Sequence, residues 1–201
     1  MCLYTKSGAK TTDKEIKCYK VLQSVEALQN EVSKKTLQEA VDNGYSFLTP
    51  YQYFPMRLGA TYTEKKPYFE PYVGKDGIMR ISENYIHSFA TIEAALESIG
   101  YCEMSGAIVV ECVIPEGTKY FEGCIDYPET QNDEVHTYAS KTLKLTNTIV
   151  AKTNNPKEGE VYTLSYDGKE YREIEGIEEN GKVSFDKLFA HYWVEVEKAQ
   201  V

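Results

Sequence analysis

The 201 residues include 22 Lys and Arg against 31 Asp and Glu, a formal net charge of −9, and 42% are hydrophobic. Such a chain is globular in composition and long enough to bury a sizeable core. Its acidic balance argues against direct nucleic-acid binding, and no apolar stretch reaches the ~18 residues that a helical membrane span needs.

The charge is lopsided. Residues 1–100 hold 12 basic and 12 acidic side chains, whereas residues 101–201 hold 10 and 19. The five cysteines, Cys2, Cys18, Cys102, Cys112 and Cys124, are odd in number and form no C-x-x-C pair. With no signal-peptide pattern ahead of them, they read as reduced thiols in a cytoplasm.

In chain order, residues 5–15 are polar and short of apolar side chains, so the start is expected to be loosely held. Ile16–Leu22 alternates as a first strand. Val25, Leu28, Val32, Leu37, Ala40 and Val41 fall near helical spacing up to an Asn43-Gly44 stop, as one helix or as two short ones split at Ser33. Residues 45–72 interleave six tyrosines with Pro50, Pro55, Pro67 and Pro71. That pattern predicts short strands at Tyr45–Leu48 and Arg57–Thr63 joined by stiff loops. Gly74–Gly77 reads as a turn, and Met79–Phe89 as a further strand. Thr91 is placed to cap a helix whose apolar stripe is Ile92, Ala95, Leu96 and Ile99, closed by Gly100.

Ala107–Ile114 is the longest run of β-branched residues and reads as a central strand ended by Pro115 and a turn at Gly117. Within it Glu111 belongs either to an exposed edge or to a site, because a lone buried carboxylate is costly. Thr118–Phe121 resumes as a strand, 124–137 as a loop, and a strand is centred on Leu143–Leu145. Asn154–Gly159 is the best linker, dividing a core domain (1–153) from a β-rich appendage (154–201). In the appendage Asp167-Gly168 marks a two-residue hairpin, Asn180-Gly181 a second turn, and residues 191–197 a closing strand. The fold class expected is α+β: a mixed or mainly antiparallel sheet with two or three helices and a C-terminal β meander.

No motif fixes a catalytic chemistry. There is no G-x-S-x-G, Walker loop or G-x-G-x-x-G, and His87, His136 and His191 lack H-E-x-x-H spacing, so neither catalytic residues nor a metal or cofactor are assigned. Two stretches are candidates for binding. His87, Ser88 and Thr91 sit where a strand gives way to a helix, either as capping groups or as a site for an anion. Tyr51, Tyr53 and Tyr62 lie in the tyrosine-proline stretch, which is either a coat over a sheet edge or a rigid recognition surface. Tyr19 joins these candidates from the first strand.

The spaced pattern CYKVL (18–22), TPY (49–51), LGATY (58–62), IHSFAT (86–91), VIPEGTKYFEG (113–123) and TYAS (137–140) resembles a group of proteins encoded by bacteriophages and prophages. The group brings no established activity; its setting implies a phage accessory role, including interference with a host system. The function expected is a non-enzymatic binding protein of the host cytoplasm that engages a host protein or sequesters a small anionic ligand. A weaker similarity is to ADP-ribosyltransferase-like folds, with Tyr19-Lys20 and His87–Thr91 in corresponding places. It implies an NAD-using enzyme with a pocket near Tyr19, His87 and Ser88. No Gly follows Lys20, and the Glu-x-Glu at Glu195–Glu197 lies at the extreme terminus.

Overall fold

The computed structural model describes residues 3–64, 71–81, 85–102, 104–125, 136–173 and 193–196. In order, β1 (Leu3–Thr5), β2 (Lys10–Thr11) and β3 (Ile16–Ser24) precede a 3-10 turn (Ala27–Asn30) and α1 (Lys34–Asp42). Six short strands follow: β4 (Phe47–Leu48), β5 (Pro55–Met56), β6 (Thr61–Thr63), β7 (Tyr72–Val73), β8 (Met79–Ile81) and β9 (Ile86–Phe89). Then come α2 (Ile92–Tyr101), β10 (Ala107–Ile114), β11 (Lys119–Gly123), β12 (Thr137–Ser140) and β13 (Thr142–Thr153). The last strands are β14 (Thr163–Tyr166), β15 (Lys169–Glu173) and β16 (Trp193–Glu195). The architecture is thus mainly antiparallel sheet with two α-helices among the described residues.

The chain gathers into two units, each discontinuous in sequence. The first is Met1–Lys20, Arg57–Ala95 and Val110–Thr148; the second is Val21–Met56, Leu96–Val109 and Ile149–Val201.

In the first unit the strand order is β2, β11, β12, β9 and β3, continuing to β10 and β13, with β6 pairing onto β13. A separate three-stranded sheet runs β1, β8, β7. Leu3, Ile81, Tyr85, Phe121 and Ala139 form an apolar cluster, in which Tyr85 meets Phe121 edge to face at 5.2 Å. The start of the chain is held, contrary to the sequence expectation. Leu3 is fully buried, and Tyr4 exchanges two backbone hydrogen bonds with Cys124, at 2.8 and 3.1 Å. The buried Thr12 hydroxyl donates to Pro115 O at 2.7 Å and accepts from Thr118 N at 3.0 Å. These polar residues replace apolar burial with hydrogen bonds to a turn, something composition does not register. The Met79–Phe89 run is two strands rather than one. The strand centred on Leu143–Leu145 is longer than expected and is preceded by β12.

In the second unit Val25, Leu28, Leu37, Ala40 and Leu48 form the cluster on which α1 rests. The helical pattern from Val25 to Asn43 is two pieces because Ser33 restarts it: its hydroxyl accepts from Thr36 N at 3.2 Å and caps α1. Thr153 is a buried junction, its Oγ1 accepting from Ala107 N at 2.7 Å and donating to Met104 O at 3.0 Å. Asn154, first residue of the expected linker, is tied down. Its N–H and its side-chain oxygen bond with Thr163 at 3.0 and 2.8 Å, and its amide nitrogen donates to Val161 O at 2.8 Å. β14 and β15 form the expected hairpin, with positive φ at Asp167 (52°) and Gly168 (72°), as a two-residue turn of this kind requires. The Asn180-Gly181 turn, His191, Cys2, Asp133, Glu134, Glu175, Glu178, Glu179 and Glu197 lie outside the described residues.

Candidate functional site

Strand register sorts the first unit's candidates onto two faces. Tyr19 pairs with Phe89, Ser88 with Tyr138, Tyr138 with Glu122, and Tyr120 with Lys10. Directly paired residues share a face and neighbours along a strand alternate. One face therefore carries Lys10, Tyr120, Glu122, Tyr138 and Ser88, together with Cys18 and Lys20 of β3. The opposite face carries Lys17, Tyr19, His87, Phe89 and Ala139. Tyr19 and His87 thus share a face that Ser88 does not, and the three do not converge into one pocket.

On the Tyr19 face, Lys17 pairs with Glu111 at 2.5 Å, with its ammonium 5.9 Å from the Tyr19 ring centroid. This answers the question Glu111 posed: it is half-buried and paired, and its hydrogen bond holds Lys17 above the ordinary lysine range. Thr91 serves as the expected cap of α2, its exposed hydroxyl accepting from Ala94 N at 3.2 Å.

The Ser88 face is graded from wet to dry. At its rim Lys10 pairs with Glu122 at 2.5 Å, and Glu122 accepts from the Tyr120 hydroxyl at 3.1 Å. Burial, then the Glu122 hydrogen bond, push the Tyr120 phenol up to about 12. The Tyr138 phenol is also raised, by burial and then by Glu122. Farther in, Cys18 and Cys112 are fully buried. Burial raises Cys18 to about 11, opposed by the nearby Ser88 hydroxyl and the Lys20 charge. Cys112 is raised further, by burial and then by Cys18. Both are neutral thiols at pH 7 rather than nucleophiles. Lys20 is half-buried as a residue, but its ammonium is desolvated, which lowers it to about 8 against the opposing pull of the two sulfurs. Its Nζ donates to His87 O at 2.6 Å. Ser88 is buried, close enough to the thiol to favour thiolate yet outside hydrogen-bond geometry.

Cys112 and Tyr138 were not among the residues singled out for binding from the sequence, and Lys20 entered only through the ADP-ribosyltransferase-like similarity. One signal was available: Lys20 stands between Cys18 and Leu22 at a spacing of two, a charge on the buried stripe of a strand.

The tyrosine-proline stretch is divided between the units, with Tyr51 and Tyr53 in the second and Tyr62 in the first. Tyr62 is half-buried and accepts from Arg57 N at 2.6 Å. Tyr51 and Tyr53 belong to the tip between β4 and β5. Thr49 closes this tip, its N–H donating to Phe54 O at 2.9 Å while its carbonyl accepts from Tyr53 N at 3.0 Å and its hydroxyl from Phe54 N at 3.0 Å. Tyr53 takes a positive φ of 52° and packs against the Val25–Leu48 cluster. Tyr51 and Phe54 point outward, 46% and 50% exposed, and the Tyr51 hydroxyl lies 3.2 Å from Cys102 Sγ.

Among the described residues no group of three or more His, Cys, Asp or Glu is arranged to hold a metal ion, and no helix is long and apolar enough to cross a membrane. Comparison with family models, with curated proteins and with solved structures gives no match to this chain.

Proposed function

We propose that this is a non-enzymatic binding protein, a phage-related accessory factor of the host cytoplasm, which engages a host protein through the β4–β5 tip. The observation that supports it is the construction of that tip. Three hydrogen bonds to Thr49 hold it closed, Tyr53 anchors it inward, and Tyr51 and Phe54 are presented outward. A rigid loop bearing two aromatic side chains loses little conformational freedom on docking, and aromatic residues of this kind dominate the energetics of protein interfaces. The phage setting rests on the spaced sequence pattern. The enzymatic alternative, ADP-ribosyl transfer, rests on the weaker sequence similarity at Tyr19-Lys20 and His87–Thr91, and it gains no support from Ser88, which lies on the other face of the sheet from Tyr19 and His87.

The test is capture from a lysate of a bacterial host with three baits: the wild type, a Tyr51→Ser/Phe54→Ser double variant, and Tyr72→Ser as an exposed aromatic control. A specific protein retained by the wild type and the control, and reduced at least tenfold on the double variant, is expected. Equal retention by all three baits, or by none, overturns the reading.

A further inference from the structure

The buried end of the Ser88 face holds more hydrogen-bond donors than acceptors. A lysine ammonium has three protons, and the described structure supplies one acceptor for Lys20, the His87 carbonyl at 2.6 Å. The residue after His87 is Ser88, 1% exposed, with a hydroxyl that has no hydrogen-bond partner. The sulfur neighbours do not correct the deficit. Cys18 and Cys112 are neutral thiols, weak acceptors at best, and Cys112 Sγ already points to Val110 O at 3.4 Å. Among the described residues no carboxylate pairs with Lys20. Glu122, the acid of this face, is engaged by Lys10 and Tyr120. A desolvated cation beside an unanswered hydroxyl is expensive to maintain, and such an arrangement persists where something else completes it.

We propose that Lys20 and Ser88 form a binding site for a small oxyanion, the carboxylate or phosphate group of a ligand, with Tyr138 bordering its open side. The Tyr19–Phe89 register makes Lys20 and Ser88 cross-strand neighbours on one face, which offers two ammonium protons and the Ser88 hydroxyl to one oxyanion, and donors of this kind favour an anion over a cation or a neutral acceptor. Tyr138 and Glu122 are half-buried, so this end of the face reaches solvent, while the Cys18 and Cys112 end is closed. The Lys10–Glu122 pair offsets one carboxylate at the rim, where Asp13 also acts on Tyr120. This site lies in the first unit and does not depend on the aromatic tip, which lies in the second.

The experiment uses the full chain, with sodium phosphate and sodium acetate as probes and sodium chloride at matched ionic strength as control. Binding is followed by the thermal unfolding midpoint and by titration calorimetry at pH 7. The wild type is expected to show a midpoint that rises with the logarithm of probe concentration. Ser88→Ala should weaken binding about tenfold and Lys20→Met should abolish it. Circular dichroism verifies that each variant is folded, and Ser88→Ala decides the matter if Lys20→Met is not. A response to phosphate alone assigns the site to a phosphoryl group, and a response to acetate alone to a carboxylate. The groups facing Lys20 are Cys18 on its own strand, Ser88 from β9 and Cys112 from β10, with Tyr138 beyond Ser88 on β12. All are protonated at pH 7 and 8, so Lys20 sets the pH profile. Acetate affinity should hold below pH 8 and fall about tenfold per unit above it, as the ammonium is lost. No response beyond chloride in the wild type, or equal binding by wild type and Ser88→Ala, overturns the proposal. The aromatic-tip reading stands or falls separately, on capture by Tyr51→Ser/Phe54→Ser.

Discussion

Lys20 and Cys18 sit two residues apart on one strand, and their ionisations oppose each other in alkaline solution. Lys20 is lowered to about 8, so between pH 8 and its unfolded value near 10.5 the unfolded chain binds the extra proton, and stability rises with pH through this group. Cys18 is raised to about 11 from 9.0, so between those values the folded chain holds the proton and stability falls with pH. Each contribution is on the order of 3 kcal/mol, and they offset each other only above about pH 9, where the two windows overlap. Cys112, raised in the same sense as Cys18, leaves a net loss above about pH 9. Urea unfolding should therefore show wild-type stability rising between about pH 8 and 9, where Lys20 alone acts, and falling from pH 9 to 10; Lys20→Met should lose the rise and fall more steeply, and Cys18→Ala should keep the rise and level off above pH 9. An identical profile in all three would remove these side chains from the alkaline behaviour. By contrast, the Lys17–Glu111 pair on the opposite face is exposed enough that its contribution is small despite its short contact.

At the scale of elements, one backbone contact is unusually unforgiving. A Cβ on Gly123, the last residue of β11, would lie 2.1 Å from Tyr4 O and 2.8 Å from Leu3 Cδ2. Gly123→Ala must push β1 away, breaking the Tyr4–Cys124 bridge and uncovering Leu3. Its expected cost is on the order of 3 kcal/mol or more. Gly8, where an added Cβ would meet nothing within 4 Å, should accept alanine with a change below about 0.5 kcal/mol. Chemical denaturation of both variants tests the contrast. Legibility follows the same division between local and distant causes. The Ala107–Ile114 strand, the Thr91 cap and the Asp167-Gly168 hairpin were readable because each depends on residues within a few positions. The grip on the N-terminus was not, because it pairs Tyr4 with a residue 120 positions away and Thr12 with Pro115, and neither partner leaves a trace in the local pattern.

Across the whole molecule, the two units interleave in sequence, and residues 154–173 and 193–196 fall within the second. Ala151 and Thr153 of β13 pair with Tyr166 and Leu164, and Leu164 is fully buried. A chain ending at 153 should therefore unfold at least about 5 °C below the full protein in thermal scans, since it strips β14 from a buried strand; an unchanged midpoint would make the tail dispensable. The candidate site was half legible at this scale. The sequence named Ser88 and the tyrosines of the tip, but not which side chains share a face, because that depends on the register of strands distant in the chain. The placement of Cys102 has a practical outcome. It is exposed beside the Tyr51 hydroxyl, whereas Cys18, Cys112 and Cys124 are buried. Among the described thiols it alone stands open to a maleimide, so a fluorophore attached there would report on the aromatic tip itself, dimming or brightening as a partner covers it.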